Sequence, residues 1–265
     1  KKKKSDSDLM AEAMAEAQGG RTLATRAHGY AWLRKLVIQP TTDRKTVETN
    51  FSKLMQLADQ GLEADDSFLY DSAIGLMVAL GSLRPAAVLE ALARHIRNKR
   101  LAASVRLKVA EIVSKMCQHH NTKEAAALRQ VQDSVVPALI ASASGSGADD
   151  ASPAEIIASS MSSLGEALVV LPQRAVAKYG QKIASLALKR GREEQEKDPK
   201  VRRAAFFALE RLFSSLTTSA TDALSAESLG EIDALLRRSR VADPDAASRV
   251  LAGRAIEVLE SKVLR

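Results

Sequence analysis

The sequence predicts an all-α fold, an α-solenoid of antiparallel helix pairs of the HEAT or armadillo kind. Three observations predict it. First, an apolar ladder repeats behind an acidic residue: Val201, Ala205, Leu209 and Leu212 follow Asp198 at the same offsets as Leu69, Ala73, Met77 and Leu80 follow Asp66. That spacing puts each set on one face of a helix. Second, 46% of the 265 residues are hydrophobic but only 3% are aromatic. The core must then come from Leu, Ala, Val and Ile, and small side chains let helices approach closely. Alternating strand patterns bounded by Asn-Gly or Asp-Gly turns are absent. Third, candidate second helices of each pair begin near Asp66, Ala102, Pro153, Asp198 and Asp243. They are roughly 36 to 51 residues apart, around the ~40–47 residues of a HEAT or armadillo unit. A single hairpin cannot bury its stripe alone; stacking on the next one does.

The elements follow in order. Residues 1–20 read as a charged, flexible and partly helical lead, set off by Gly19-Gly20. A helix over about 21–38 carries Tyr30, Leu33 and Val37 on one face and stops at Pro40. The next, about 43–62, turns Val47, Phe51, Leu54 and Leu57 inward. Asp65 and Asp66 open a third helix that ends near Leu83, and Pro85 suits the first turn of a fourth, lined by Val88, Leu89, Leu92 and Ile96. A fifth, about 102–120, has the stripe Val105, Val109, Ile112 and Met116. A sixth, from Thr122 to about Ser142, contains Pro137, which should kink or divide it.

The Ser/Gly/Ala/Asp-rich segment 142–152 reads as a flexible loop within the repeat array of residues 21–265, because the helical pattern resumes after it. Pro153 and Pro172 begin the next two helices, the second ending near Gly191. Asp198-Pro199 opens another, Thr221 or Asp222 can cap a further one, and Asp243-Pro244 repeats the acidic-cap-then-proline device for the last.

Charge and cysteine content narrow the function classes. The formal net charge is +7, and Lys1 to Lys4 supply more than half of the excess. The remainder is mildly basic and alternates in sign, as a solvated surface does. Cys117 is the sole cysteine, so no intrachain disulfide forms, which fits a reducing compartment. No apolar run has the length of a membrane span, and Lys1–Lys4 lead into Ser-Asp-Ser-Asp rather than a signal sequence. The chain starts on Lys rather than Met and reads as part of a longer protein.

Chemistry-bearing motifs are sparse. Gly145-Ser146-Gly147 lacks the Lys-Ser/Thr and the strand–turn–helix setting of a phosphate loop. Cys117, His119 and His120 are close, but only Cys117 and His120 share a helical face and no second cluster completes four ligands. His28 and His95 stand alone. No catalytic, cofactor-binding or metal-binding residue is expected. The densest feature is basic: Lys189, Arg190, Arg192, Lys197, Lys200, Arg202 and Arg203, across the end of one helix and the start of the next. Lys189, Arg190, Arg192, Lys200 and Arg202 form the candidate partner-binding patch, with Arg203 placed to bond within the repeat. An acidic protein tail would suit it. Nucleic acid suits it less, because Glu193, Glu194 and Glu196 interrupt it and no aromatics interleave for base stacking.

Five stretches, in order, resemble one family. Phe68-Leu69-Tyr70-Asp71-Ser72-Ala73-Ile74 is similar to a Tyr-x-x-Ala-Ile helix, and Leu107-Lys108-Val109-Ala110-Glu111-Ile112 to a Lys-Val-Gly-Glu-Val stretch with Ala110 in place of Gly. Residues Ala158 to Glu166 resemble Ala-Ser-Ser-Leu-x-Asn-Leu-Gly-Glu, Val201-Arg202-Arg203-Ala204-Ala205 matches a further segment, and Asp243-Pro244-Asp245 resembles the acidic proline opening of a last helix. Together, over about residues 21–265, they resemble the C-terminal helical-repeat region of the transport and Golgi organization protein 6 family, whose fungal relatives are described as required for nuclear transport of RNA polymerase II. The resemblance implies a non-enzymatic cytoplasmic scaffold that shuttles to the nucleus and helps assemble and import RNA polymerase II. The implied partners are polymerase subunits, co-chaperones and nucleoporins. A second implication is a trafficking factor in Golgi organisation and secretion, acting with coat proteins. The residues themselves leave a third reading open, a nucleic-acid module using the basic patch.

Overall fold

A computed structural model describes residues 4–119, 124–145, 153–192, 196–217, 220 and 223–263. The described residues are helical, with no strand among them. The chain divides within one helix into two compact units, residues 1–88 and 89–265.

The first unit contains α1 (Asp6–Gly19), α2 (Leu23–Ile38), α3 (Arg44–Leu62) and α4 (Ser67–Leu83). Each start has a local cause. Ser5 and Asp8 form a capping box on α1, Thr22 and Thr25 do so on α2, and the Asp43 and Asp66 carboxylates accept N–H groups of the first turns of α3 and α4. Within residues 1–20, expected to be a partly helical lead, Asp6–Gly19 form one regular helix whose Met10, Ala13 and Ala17 are fully buried. The missing Cβ of Gly29 is what permits this: α1 lies antiparallel on α2 with its backbone at Ala17 against Gly29. The Asp6 carboxylate also accepts the Asp43 N–H at 2.6 Å, tying α1 to the start of α3. Tyr30 is buried and donates its hydroxyl to the Leu57 carbonyl at 2.9 Å, which satisfies the phenol where α2 meets α3.

α5 (Pro85–Arg97) crosses the division, and the second unit continues with α6 (Ala103–Gln118), α7 (Ala125–Gln130), a π-helical turn (Val131–Val135) and α8 (Val136–Ser144). The division expected at Pro137 is there, with a specific form. Proline has no N–H and its ring would strike the Asp133 carbonyl, so the turn before it widens and Pro137 enters the first turn of α8. Gly145 ends α8 in the left-handed region, φ 57°, where glycine carries no Cβ penalty. The loop expected over 142–152 lies for the most part outside the described residues, and α8 runs three residues into it.

The unit ends with α9 (Ala154–Val170), α10 (Gln173–Gly191), α11 (Pro199–Ser215), α12 (Ala226–Ala242) and α13 (Ala246–Val263). Asp198 caps α11 with Pro199 in its first position, as expected. The last helix differs: Asp245, not Asp243, accepts the first-turn N–H, from Ser248 at 2.7 Å. The Thr221 or Asp222 cap falls outside the described residues, and α12 starts from Ser225, which accepts the Ser228 N–H.

These helices make two layers. In one, α6, α9, α11 and α13 lie side by side. Glu155 meets Lys200 near the starts of α9 and α11, and Glu166 meets Arg211 towards their ends, so the two run in the same direction. In the other, α10 packs between α8 and α12. The layers join through antiparallel hairpins: Gly191 at the end of α10 touches Phe206 near the middle of α11, and Gly180, earlier in α10, approaches Leu212 near the end of α11. Val201, Ala205, Leu209 and Leu212, the ladder that announces the repeat, are all fully buried.

Candidate protein-docking surface

The five basic residues predicted to form one patch have two different fates. Arg202 is removed from the surface. Its side chain is 2% exposed and pairs side by side with Asp243, Nε to Oδ2 and Nη2 to Oδ1 both at 2.9 Å. Its Nη1 donates to the Glu196 and Lys197 carbonyls, each at 3.0 Å. Every face of the guanidinium is engaged, so no partner reaches it. Arg190 is also drawn inward: Nη2 donates to the Ala143 and Ser144 carbonyls at 3.2 and 3.1 Å, closing the C-terminal end of α8, and Nη1 lies 3.4 Å from Glu196. Both residues hold neighbouring elements together.

The remaining three stay outside. Lys200 reaches Glu155 of the neighbouring helix at 3.2 Å. Glu155 is held below the usual carboxylate range, first by its own backbone N–H and then by Lys200. Arg192 pairs with Glu231 of α12 at 2.9 Å. Lys189 is exposed and has no acidic partner among the described residues. Arg203 bonds within the array, as expected: its guanidinium forks onto the Asp245 carboxylate, Nε to Oδ2 at 2.8 Å. Glu193 and Glu194 lie outside the described residues.

Sequence reasoning missed a second set of cations. Arg174, Lys178 and Lys182 are exposed on the same helix, α10, as Lys189. Their signal was present: four-residue spacing in a helix that contains no Asp or Glu. Near its end α10 borders a shallow groove against α12, lined by Ser185, Lys189, Arg192, Glu227, Ser228 and Glu231. Gln181 spans the same helices, donating to Ser228 Oγ at 2.6 Å and accepting the Ser225 N–H at 3.1 Å.

The histidines and the cysteine are separated by burial. Cys117 is buried, and its thiol pKa is pushed up to about 12, chiefly by loss of water and then by the nearby Glu166 charge. His119 is exposed at the end of α6, and His120 lies outside the described residues. His28 Nδ1 sits 3.0 Å from Glu16. Among the described residues no group of three or more His, Cys, Asp or Glu side chains could hold a metal ion, and no helix is long and apolar enough to cross a membrane.

Residues 10–123 match the model of the family described as required for nuclear transport of RNA pol II, C-terminus 1. The matched region contains the stretches at Phe68–Ile74 and Leu107–Ile112, whereas those at Ala158–Glu166, Val201–Ala205 and Asp243–Asp245 lie beyond it. It begins inside α1, which agrees with the packing of that helix. No curated protein sequence matches the chain. Among solved structures, a HEAT-like repeat protein from the archaeon Thermococcus onnurineus NA1 superposes with a TM-score of 0.58 at 11% identity, covering 99% of this chain and 100% of its own. An engineered protein gives 0.57 at 14% identity (96% and 97% covered), and a designed armadillo repeat protein 0.53 at 11% identity (95% and 99% covered). At such identities the likeness speaks for the fold: a HEAT- and armadillo-like array of helices.

Proposed function

We propose that the chain is a non-enzymatic helical-repeat scaffold that holds protein partners during the nuclear transport of RNA polymerase II. The observation that carries this reading is the family match over residues 10–123. The fold supports it. Stacked helices present broad side-chain surfaces whose residues come from successive repeats, a geometry suited to extended protein contacts. The partners of this reading are polymerase subunits, with co-chaperones and nucleoporins as the factors that load and pass them on. A protein with that task moves between cytoplasm and nucleus.

Native affinity purification of the tagged full-length protein, with quantitative mass spectrometry, tests the reading. Polymerase II subunits should be enriched over a tag-only control. Depleting the protein should shift the largest polymerase subunit towards the cytoplasm. If subunits are not enriched and polymerase distribution is unchanged, the reading falls.

A further inference from the structure

The exposed ridge of α10 carries a row of cations of which, among the described residues, Lys178 alone has an acidic partner. Arg174, Lys178, Lys182 and Lys189 follow one another at four, four and seven residues, so they stand in one row along the helix. All four are exposed, and α10 has no acidic residue to offset them. Arg174, Lys182 and Lys189 have no acidic partner among the described residues. Lys178 lies 3.9 Å from Asp133 and 4.9 Å from the Tyr179 ring centre. The neighbouring helices differ: Lys200 pairs with Glu155, Arg211 with Glu166, and Arg237 with both Asp233 and Glu260. Like charges four residues apart oppose helix formation, so this row does not serve the stability of α10.

We infer that this ridge docks an acidic, extended segment of a protein partner. The inference deepens the scaffold reading above and rests on it. Arg174, Lys178 and Lys182 repeat about every 6 Å along the helix axis, and Lys189 stands about 10.5 Å beyond Lys182. Alternate side chains of an extended peptide repeat about every 6.6 Å. Carboxylates on every second residue therefore meet Arg174, Lys178 and Lys182 in turn, and a later one meets Lys189, over a length of roughly 22 Å in all. The borders favour peptide over nucleic acid. Asp133 lies on one side of the ridge, Glu227 and Glu231 on the other. They repel an unbroken phosphodiester chain but leave room for spaced carboxylates. The ridge also offers no free ring for base stacking, since Tyr179 donates its hydroxyl to the Gln132 carbonyl at 2.9 Å and is covered by Lys178.

Fluorescence anisotropy on the purified chain tests the inference with three probes: a peptide of alternating Asp and Ser, the same peptide with Asn for Asp, and oligouridylate. The Asp peptide should bind, more weakly as salt rises, and the Asn peptide should not. Joint substitution of Arg174→Gln, Lys178→Gln, Lys182→Gln and Lys189→Gln should weaken the Asp peptide by about tenfold or more, because four modest ion pairs are removed at once. Arg237→Gln, a paired cation on α12, should not. Circular dichroism should show both variants folded. Equal binding of the Asp and Asn peptides, an unaffected fourfold variant, or tighter binding of oligouridylate than of the Asp peptide would each overturn the inference. Native purification separates it from the scaffold reading. If polymerase subunits are recovered equally with the wild type and the fourfold variant, the scaffold stands and the ridge is not its docking site. If neither form recovers them, the scaffold reading falls, and the peptide result alone decides the ridge.

Discussion

Arg202 and Asp243, 41 residues apart in sequence, meet fork to fork at 2.9 Å with both side chains 2% exposed. The pair joins the first turn of α11 to the turn that leads into α13. It also carries out two further tasks: Arg202 satisfies the Glu196 and Lys197 carbonyls, and Asp243 accepts the Asp245 N–H at 2.9 Å. Breaking a buried pair strands the surviving charge, which costs about 3–5 kcal/mol. Arg202→Ala or Asp243→Ala should therefore lower the unfolding free energy by that amount in urea titration. Replacing both with apolar residues of similar size, Arg202→Met with Asp243→Leu, should recover most of the loss, because no uncompensated charge then remains. A double variant as unstable as the singles would mean that the carbonyl contacts, not the ion pair, dominate.

Asp245 links the same two helices and responds to acid. The Arg203 guanidinium holds its carboxyl well below the usual range, and the Ser248 N–H adds to the effect. A carboxyl depressed on folding contributes stability that is complete above its unfolded value, about pH 3.9, and is lost as pH falls through the folded value. Unfolding free energies should show the consequence. The stability gap between the wild type and Asp245→Asn should be constant from pH 7 to about pH 5 and shrink below about pH 4. A gap that is flat with pH would detach the Arg203–Asp245 contact from acid stability.

How far these features were legible depends on the range of the interaction. Helix starts are local, and Asp43, Asp66, Asp198 and Pro85 stand at or beside the starts of their helices as the sequence suggests. The apolar ladders are equally local, so the buried faces of α4 and α11 were readable. Burial of Arg202 was not: its neighbours Lys200 and Arg203 look alike in sequence, and only the packing of Asp243 from a later repeat distinguishes it. The α1 face was hidden for another reason. Met10, Ala13 and Ala17 have helical spacing, but two of the three are alanines, and their burial follows from Gly29 on the next helix. The cations of α10 were visible one at a time. The row appears once the residues between them, Ala175, Val176, Gly180, Ile183 and Ala184, are known to be buried.

Cys117 should be unreactive in the folded protein. With its thiol pKa raised to about 12 by burial, almost no thiolate exists at pH 8, and reagents do not reach the sulfur. A disulfide-exchange reagent should label it at the rate at which the surrounding helices open, and fast labelling should appear only in denaturant. The Arg202→Ala variant, if it loosens the second unit as a whole, should label faster than the wild type. Rapid labelling of the native protein at neutral pH would contradict a buried, protonated thiol.

Two glycine-to-alanine substitutions should change stability in opposite directions. A Cβ at Gly29 would lie 2.4 Å from the Ala17 N and 2.8 Å from its Cα. Those are backbone atoms of α1, which cannot rotate aside as a side chain can. Alanine there must push α1 off α2, a strain of about 1–3 kcal/mol, and this outweighs the ~1 kcal/mol by which alanine favours a helix over glycine. Gly230 lies in α12 on the exposed side, and a Cβ there would meet nothing within 4 Å. Only the propensity gain remains, so Gly230→Ala should stabilise by up to about 1 kcal/mol. Thermal melts of the two variants should move to opposite sides of the wild type. Hydrogen exchange should also separate them: Gly29→Ala should expose amides of α1 and leave α9 to α13 protected, because the strain arises where α1 rests on α2.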